Sequence, residues 1–352
     1  MSRQILITGA AGFVAAHVIE HILKNTDDHI IGCDSLTYAG TWDRLRDVNI
    51  SGFCAYAHPR FTPLLFDFRL PAEPHLVKEL QGVTHVIHMG AESHVDHSIT
   101  DPMRFVQSNV VGTVNMLEIA RKLENLELFA YFSTDEVFGP APLGLTTGFH
   151  EDDRHNPKNP YAATKSAAEQ MVNAYANTYK IPCAVTNGMN IFGERQHAEK
   201  FIPLCIRRAI TGETITIHSS ADKKTAGMRT YIHGRNVADA LLFVINNNTT
   251  NRSDVERYNI VGEKEIDNLT LAKTINELVV ELGGIYGFKP QGATFEMVDF
   301  HSSRPGHDLR YALDGSKMAE LGWTPPKTFT ESLRKTIQWS LENPSWLNLQ
   351  SS

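Results

Sequence analysis

Tyr161 and Lys165 stand in the spacing Tyr-x-x-x-Lys, which on a helix places both side chains on one face, one turn apart. A cation beside a phenol favours the phenolate, turning a group with an ordinary pKa near ~10 into a usable base. Such a base takes a proton from a substrate hydroxyl as a hydride leaves. On exposed helices the spacing arises often by chance, so its meaning depends on what lies upstream. There the chain carries two adjacent carboxyls in Thr134-Asp135-Glu136 and, much earlier, a glycine-rich turn.

That turn, Thr8-Gly9-Ala10-Ala11-Gly12-Phe13-Val14-Ala15, follows a predicted strand and opens a predicted helix. Glycines there let backbone amides approach a pyrophosphate at the positive end of the helix. The spacing is G-x-x-G-x-x-A, with Ala15 as the third small residue where helix packs on strand. Asp34 ends the second predicted strand, about 20 residues on, the place for a carboxylate that accepts from ribose hydroxyls. A carboxylate there repels a 2′-phosphate, so the expected cofactor is NAD rather than NADP.

These residues need a scaffold, and the chain supplies an alternating one. Apolar runs at 4–8, 29–34, 61–67, 85–89, 128–133 and 182–189 read as strands. Segments after Gly12, at 74–81, at 102–124 and from Pro160 read as helices, the last with Asn159 as N-cap and Pro160 at its first position. Strands apolar throughout, separated by helices, predict a Rossmann-type doubly wound parallel sheet covered on both faces. Past residue 190 polar loops at 218–229 and 246–256 break the rhythm. The expected division is an NAD-binding domain of 1–190 plus about 231–260, with 231–246 returning to the large sheet. A smaller α/β lobe of about 191–230 plus 261–345 would bind substrate.

Bulk properties remove other classes. The 352 residues are 42% hydrophobic and 21% charged, with no repetitive tract. A net charge of −7 argues against a nucleic-acid partner. No stretch nears the roughly 18 apolar residues of a membrane span, and no leader pattern is read at the N-terminus. A cytoplasmic location is expected, with Cys33, Cys54, Cys183 and Cys205 as free thiols. Sixteen histidines occur without a helical pair supported by a carboxylate, so no metal is expected.

Longer strings then carry a resemblance: DSLTYAG at 34–40, AESHVDHSI at 91–99, STDEVFG at 133–139, NPYAATKSAAE at 159–169, EKFIP at 199–203, YNIVG at 258–262, RPGHDLRYALD at 304–314 and LGW at 321–323. Together with Gly9–Ala15 they resemble the extended short-chain dehydrogenase/reductase superfamily and, within it, the dTDP-glucose 4,6-dehydratases. The similarity is collinear over nearly the whole chain. It implies oxidation of a nucleotide sugar at carbon 4 by NAD, loss of water across carbons 5 and 6, and hydride return to carbon 6. Glu136 would be the general base at carbon 5, and Asp135, kept protonated by its neighbour's charge and by burial, the general acid at the 6-hydroxyl. Thr134 would bond the 4-oxygen beside Tyr161.

The same resemblance implies further contacts. Gly9, Gly12, Phe13, Val14, Asp34, Ser35, Leu36, Thr37, Asp67, Phe68, Met89, Ala91 and Ser108 would lie along NAD with Tyr161 and Lys165. Ser93, Asn190, Lys200, Phe201, Thr216, His218, Asn259 and His307 would approach the nucleotide sugar, and Arg229 and Arg304 would hold its diphosphate. A homodimer built through the helices at 102–124 and 160–179 is also implied.

Some residues depart from the family pattern. Met89-Gly90 stands for a Leu-Ala pair, IFGERQHAEK follows Asn190, and 218–229 is about four residues longer than usual, with Lys223 and Lys224. The last two lie near the expected base pocket and leave UDP-glucose as an alternative substrate. An epimerase or decarboxylase is argued against by Asp135 and Glu136 together, and a non-catalytic nucleotide-sugar sensor by the complete acid/base set.

Overall fold

The computed structural model describes residues 2–37, 39–247, 254–300 and 308–349. Seven parallel strands form the main sheet: β1 (Gln4–Thr8), β2 (His29–Asp34), β3 (Phe61–Leu65), β4 (His85–His88), β5 (Leu128–Thr134), β6 (Cys183–Gly188) and β7 (Glu256–Ile260). Their order is β3-β2-β1-β4-β5-β6-β7. The order reverses between β1 and β4, and a crevice opens at the carboxyl ends of strands at such a point.

Successive strand residues face opposite layers, so β1 divides its apolar side chains between two cores. Ile5 and Ile7 pack with Ile19 of α1 (Phe13–Asn25) and Leu241 of α4 (Gly234–Asn247). Leu6 faces the other layer with Leu117 and Val172. Leu117 belongs to α2, which runs over 102–120, and Val172 to α3 (Pro160–Tyr179). Pro102 and Pro160 each open their helix, capped by Asp101 and Asn159. α2 stops at Ala120, short of the expected 124. Its middle, Val106–Val111, widens into a π turn that carries Ser108, a distortion frequent at functional sites.

A third core lies beyond residue 190, where Ile206, Ile275 and Ile337 pack from the helices Phe201–Thr211, Asn268–Gly283 and Phe329–Glu342. Met228–His233 pairs with Asn190–Phe192 and Glu265–Asp267 in a separate three-stranded sheet. It is α4 that returns to the large sheet, against α1, and β7 then adds the seventh strand. The expected loop at 218–229 shrinks to 220–227, because Ile215–Ser219 pairs with Phe295–Asp299 and Met228 already belongs to a strand. Of the expected polar stretch at 246–256, residues 248–253 lie outside the described residues. All four cysteines are free thiols. Among the described residues no helix is long and apolar enough to cross a membrane.

Candidate active site

A cavity of about 400 Å³ occupies the crevice at the ends of β1, β4 and β5. At one end Gly9 has φ +70°, a left-handed conformation, and a Cβ there would stand 2.8 Å from Gly90 Cα. The backbone thus passes where no side chain fits, leaving the amides at the start of α1 open to a ligand. Asp34 closes this end. Its carboxylate accepts from Ala11 N (3.0 Å) and Leu36 N (2.7 Å), which counter the upward push that burial exerts on its pKa. Leu36 serves through this backbone N–H and is absent from the cavity wall, whereas Phe13, Val14, Ser35, Thr37, Asp67, Phe68, Met89, Ala91 and Ser108 all line it. The glycine cradle, the Asp34 carboxylate and a cavity lined from Gly9 to Ser108 fit a dinucleotide.

The wall also contains Arg44, which the sequence did not signal. It is buried and donates to the carbonyls of Ala11 (3.0 Å), Ala39 (2.7 Å) and Arg195 (3.0 Å). One guanidinium thereby ties the glycine turn, the loop after β2 and the segment after Phe192. An arginine in a polar stretch has no local signature for such a role.

β5 ends at Thr134, and a 3-10 turn presents Asp135 and Glu136 to the cavity. Thr134 Oγ1 donates to Asp135 Oδ1 at 3.0 Å and accepts from Glu136 N at 3.4 Å. Burial, and then the charge of Glu136, push the Asp135 carboxyl up to about 7. Burial also raises Glu136, but the amide of Asn159 donates to its Oε2 at 2.8 Å and Arg229 and Lys200 favour its charge. Two neighbouring carboxyls therefore sit in unequal surroundings, one of them inclined to hold a proton.

Tyr161 and Lys165 reach the same cavity from α3. Lys165 Nζ donates to Phe132 O at 2.7 Å and lies 4.2 Å above the Tyr131 ring. Burial brings its pKa down to about 7, against the pull of Glu169. Tyr161 differs from expectation. Burial and the charge of Glu136 push its phenol upward, with a hydrogen bond shared with the Thr134 hydroxyl acting the other way. The lysine is directed at a carbonyl, so in the protein alone Tyr161 is held as a phenol.

Ser93, Asn190, Lys200 and Phe201 complete the wall. Thr216, His218, Arg229 and Asn259 are not brought to the wall formed by the described residues. Thr216 and His218 lie on Ile215–Ser219, with the His218 ring 6.4 Å from Phe300. Arg229 donates to the carbonyls of Met228 (2.7 Å), Leu309 (2.9 Å) and Asp308 (2.7 Å) and lies 4.7 Å over Tyr311. Its charge still reaches Asp135 and Glu136. Asn259, fully buried on β7, donates to Phe149 O (2.9 Å) and Asp314 O (3.0 Å), a bracing contact. Arg304 and His307 lie outside the described residues. Among the described residues no group of His, Cys, Asp or Glu is arranged to hold a metal.

The parallel sheet, the glycine cradle and the Tyr161–Lys165 pair define a Rossmann-fold short-chain dehydrogenase/reductase. Within that class, the chain belongs to the GDP-mannose 4,6 dehydratase family, whose profile matches residues 6–336. It is 37% identical to a dTDP-glucose 4,6-dehydratase of Salmonella typhimurium, with 98% of this chain and 94% of the relative covered. The dTDP-glucose 4,6-dehydratase of Neisseria gonorrhoeae is 38% identical, covering 97% and 96%. Among solved structures, DesIV of Streptomyces venezuelae, a dTDP-glucose 4,6-dehydratase with NAD and TYD bound, superposes with a TM-score of 0.81 at 32% identity, covering 97% and 98%. A UDP-glucuronic acid 4-epimerase from Bacillus cereus shares the fold at 22% identity and a TM-score of 0.79.

Proposed function

We propose that this protein is a hydro-lyase that converts dTDP-glucose to dTDP-4-keto-6-deoxy-glucose and water with NAD as cofactor. The observation that carries the reading is the adjacent pair Asp135–Glu136, unequally disposed to protons, in one cavity with Tyr161 and Lys165. Bound NAD would accept the hydride from carbon 4 and give it back at carbon 6. Gly9, Gly12 and Asp34 would hold it, with Met89 and Ala91 along its length.

The chain's own residues would do the rest. Tyr161 must first lose its own proton to solvent; as the phenolate, with Lys165 as the nearby cation and Thr134 steadying the oxygen, it takes the 4-hydroxyl proton. A ketone at carbon 4 makes the carbon 5 proton acidic, and Glu136 removes it. Asp135 gives its proton to the departing 6-hydroxyl, which leaves as water. As carbon 6 is reduced, Glu136 gives its proton back at carbon 5; the cycle is redox-neutral, so the cofactor need not exchange. Epimerisation would call for no such acid and base at carbons 5 and 6.

The dTDP-glucose relatives support thymidine as the base, and UDP-glucose is the competing substrate. Incubation of the purified protein with each should give the alkali-induced absorbance of a 4-keto sugar. A thymine methyl seated in a pocket is worth about 1–3 kcal/mol, so kcat/KM for dTDP-glucose should lead by about tenfold or more. Equal or higher turnover of UDP-glucose would reassign the base, and no product from either would end the reading.

A division into an NAD-binding domain (1–190 plus about 231–260) and a nucleotide-sugar lobe is part of the proposal; the third core around Ile206, Ile275 and Ile337 supports it, although Met318 and Trp323 pack into the first core and Tyr231 into the third. So is a cytoplasmic homodimer docked through α2 and α3. Met103 and Val111 expose apolar surface on α2, which suits such an interface. Light scattering should give twice 39.3 kDa, and a mass of 39.3 kDa would refute it.

A further inference from the structure

Glu169 lies one turn beyond Lys165 on α3 and is wholly buried. Its Oε1 accepts from Ser133 Oγ and, at 3.1 Å, from Asn187 Nδ2. Ser133 and Asn187 are register partners on β5 and β6, and Asn187 also donates to the Thr134 carbonyl at 3.3 Å. A single carboxylate thus ties α3 to the end of β5, which carries Thr134, and to the end of β6 beside it. Around it, His155 Nε2 stands 3.5 Å from Oε2, and Arg257 of β7 adds positive charge.

Lys165 is the other group Glu169 addresses. It faces Tyr131 and the Phe132 carbonyl on β5, with His88 of β4 within range of its charge. Burial disfavours its ammonium, and Glu169 is the one counter-charge acting on it among the described residues. Burial pushes the Glu169 carboxyl up, while the bonds from Ser133 and Asn187 and the charges of Arg257 and Lys165 act the other way, toward the ionised form.

We propose that Glu169 is a positioning residue of the oxidation step. It anchors the strand end that presents Thr134 and supplies the buried negative charge against which Lys165 keeps its proton. This role rests on the reading of Tyr161 and Lys165 as the oxidising pair.

The test follows reduced-cofactor formation in a single turnover with dTDP-glucose, as a function of pH, in the NAD-loaded Glu136→Gln enzyme, where Asp135 chemistry comes later. Adding Glu169→Gln should move the alkaline midpoint of this step down by about one pH unit. Above both midpoints that is about a tenfold loss of rate. NAD content and thermal midpoint report whether the variant is folded. A folded Glu169→Gln variant with the parent's midpoint and rate overturns the role. If that variant does not fold, Glu169→Asp, which withdraws the charge by one methylene, decides by the same midpoint: a lowered value supports the role, an unchanged one overturns it. A parent enzyme that forms no reduced cofactor overturns the oxidation reading and this role together.

Discussion

Asn159 joins the base to the helix that carries Tyr161: its amide oxygen accepts from Ala162 N at 2.8 Å, and its amide nitrogen donates to Glu136 Oε2 at 2.8 Å. One side chain thus caps α3 and favours the ionised form of Glu136. Asn159→Ala should cost about 1 kcal/mol of stability through the lost cap. It should also move the acid limb of kcat/KM to higher pH, because Glu136 loses a bond to its charged form. Asn159→Asp keeps a capping oxygen but faces Glu136 with a second negative charge. Its thermal midpoint should stay near the parent's while activity falls. Equal loss of both properties in the two variants would refute this division between cap and base.

The acid pair and the phenol should fail at different steps. Glu136→Gln should stop at the 4-keto stage with reduced cofactor on the enzyme, read as its near-ultraviolet absorbance. Tyr161→Phe should show no such signal, because the first proton is never taken. Losses of about 10²–10⁴ in overall turnover are expected for either group. Near-normal turnover in both variants would remove these roles.

Asp135 sets a pH dependence of definite sign. A carboxyl raised to about 7 keeps its proton below that pH and gives it up above. A general acid must be protonated, so the elimination step should weaken as pH rises through about 7. Glu136 must be ionised, so the same step should weaken toward acid. Asp135→Asn can neither donate nor titrate. It should lower the elimination rate and abolish this alkaline limb, measured by release of the 4-keto product after oxidation is complete. An unchanged limb would assign it to Lys165 instead.

The sequence by itself determined the parallel α/β sheet, the glycine turn with Asp34, and the line-up of Thr134, Asp135 and Glu136 ahead of Tyr161 and Lys165. Each rests on neighbours along the chain: apolar runs that alternate with helical ones, a helix cap, residues one helical turn apart. Tertiary structure alone decided the surroundings. Arg44 reaches Arg195 and Glu169 reaches Ser133 and Asn187, and no local pattern announces pairings at such separations. It also placed Asn259 in a bracing role and turned Arg229 onto the carbonyls of 308 and 309. The protonation of Tyr161 belongs here too. The spacing puts a cation one turn away, but burial and Glu136 outweigh it, and burial is a property of the packed molecule rather than of the spacing.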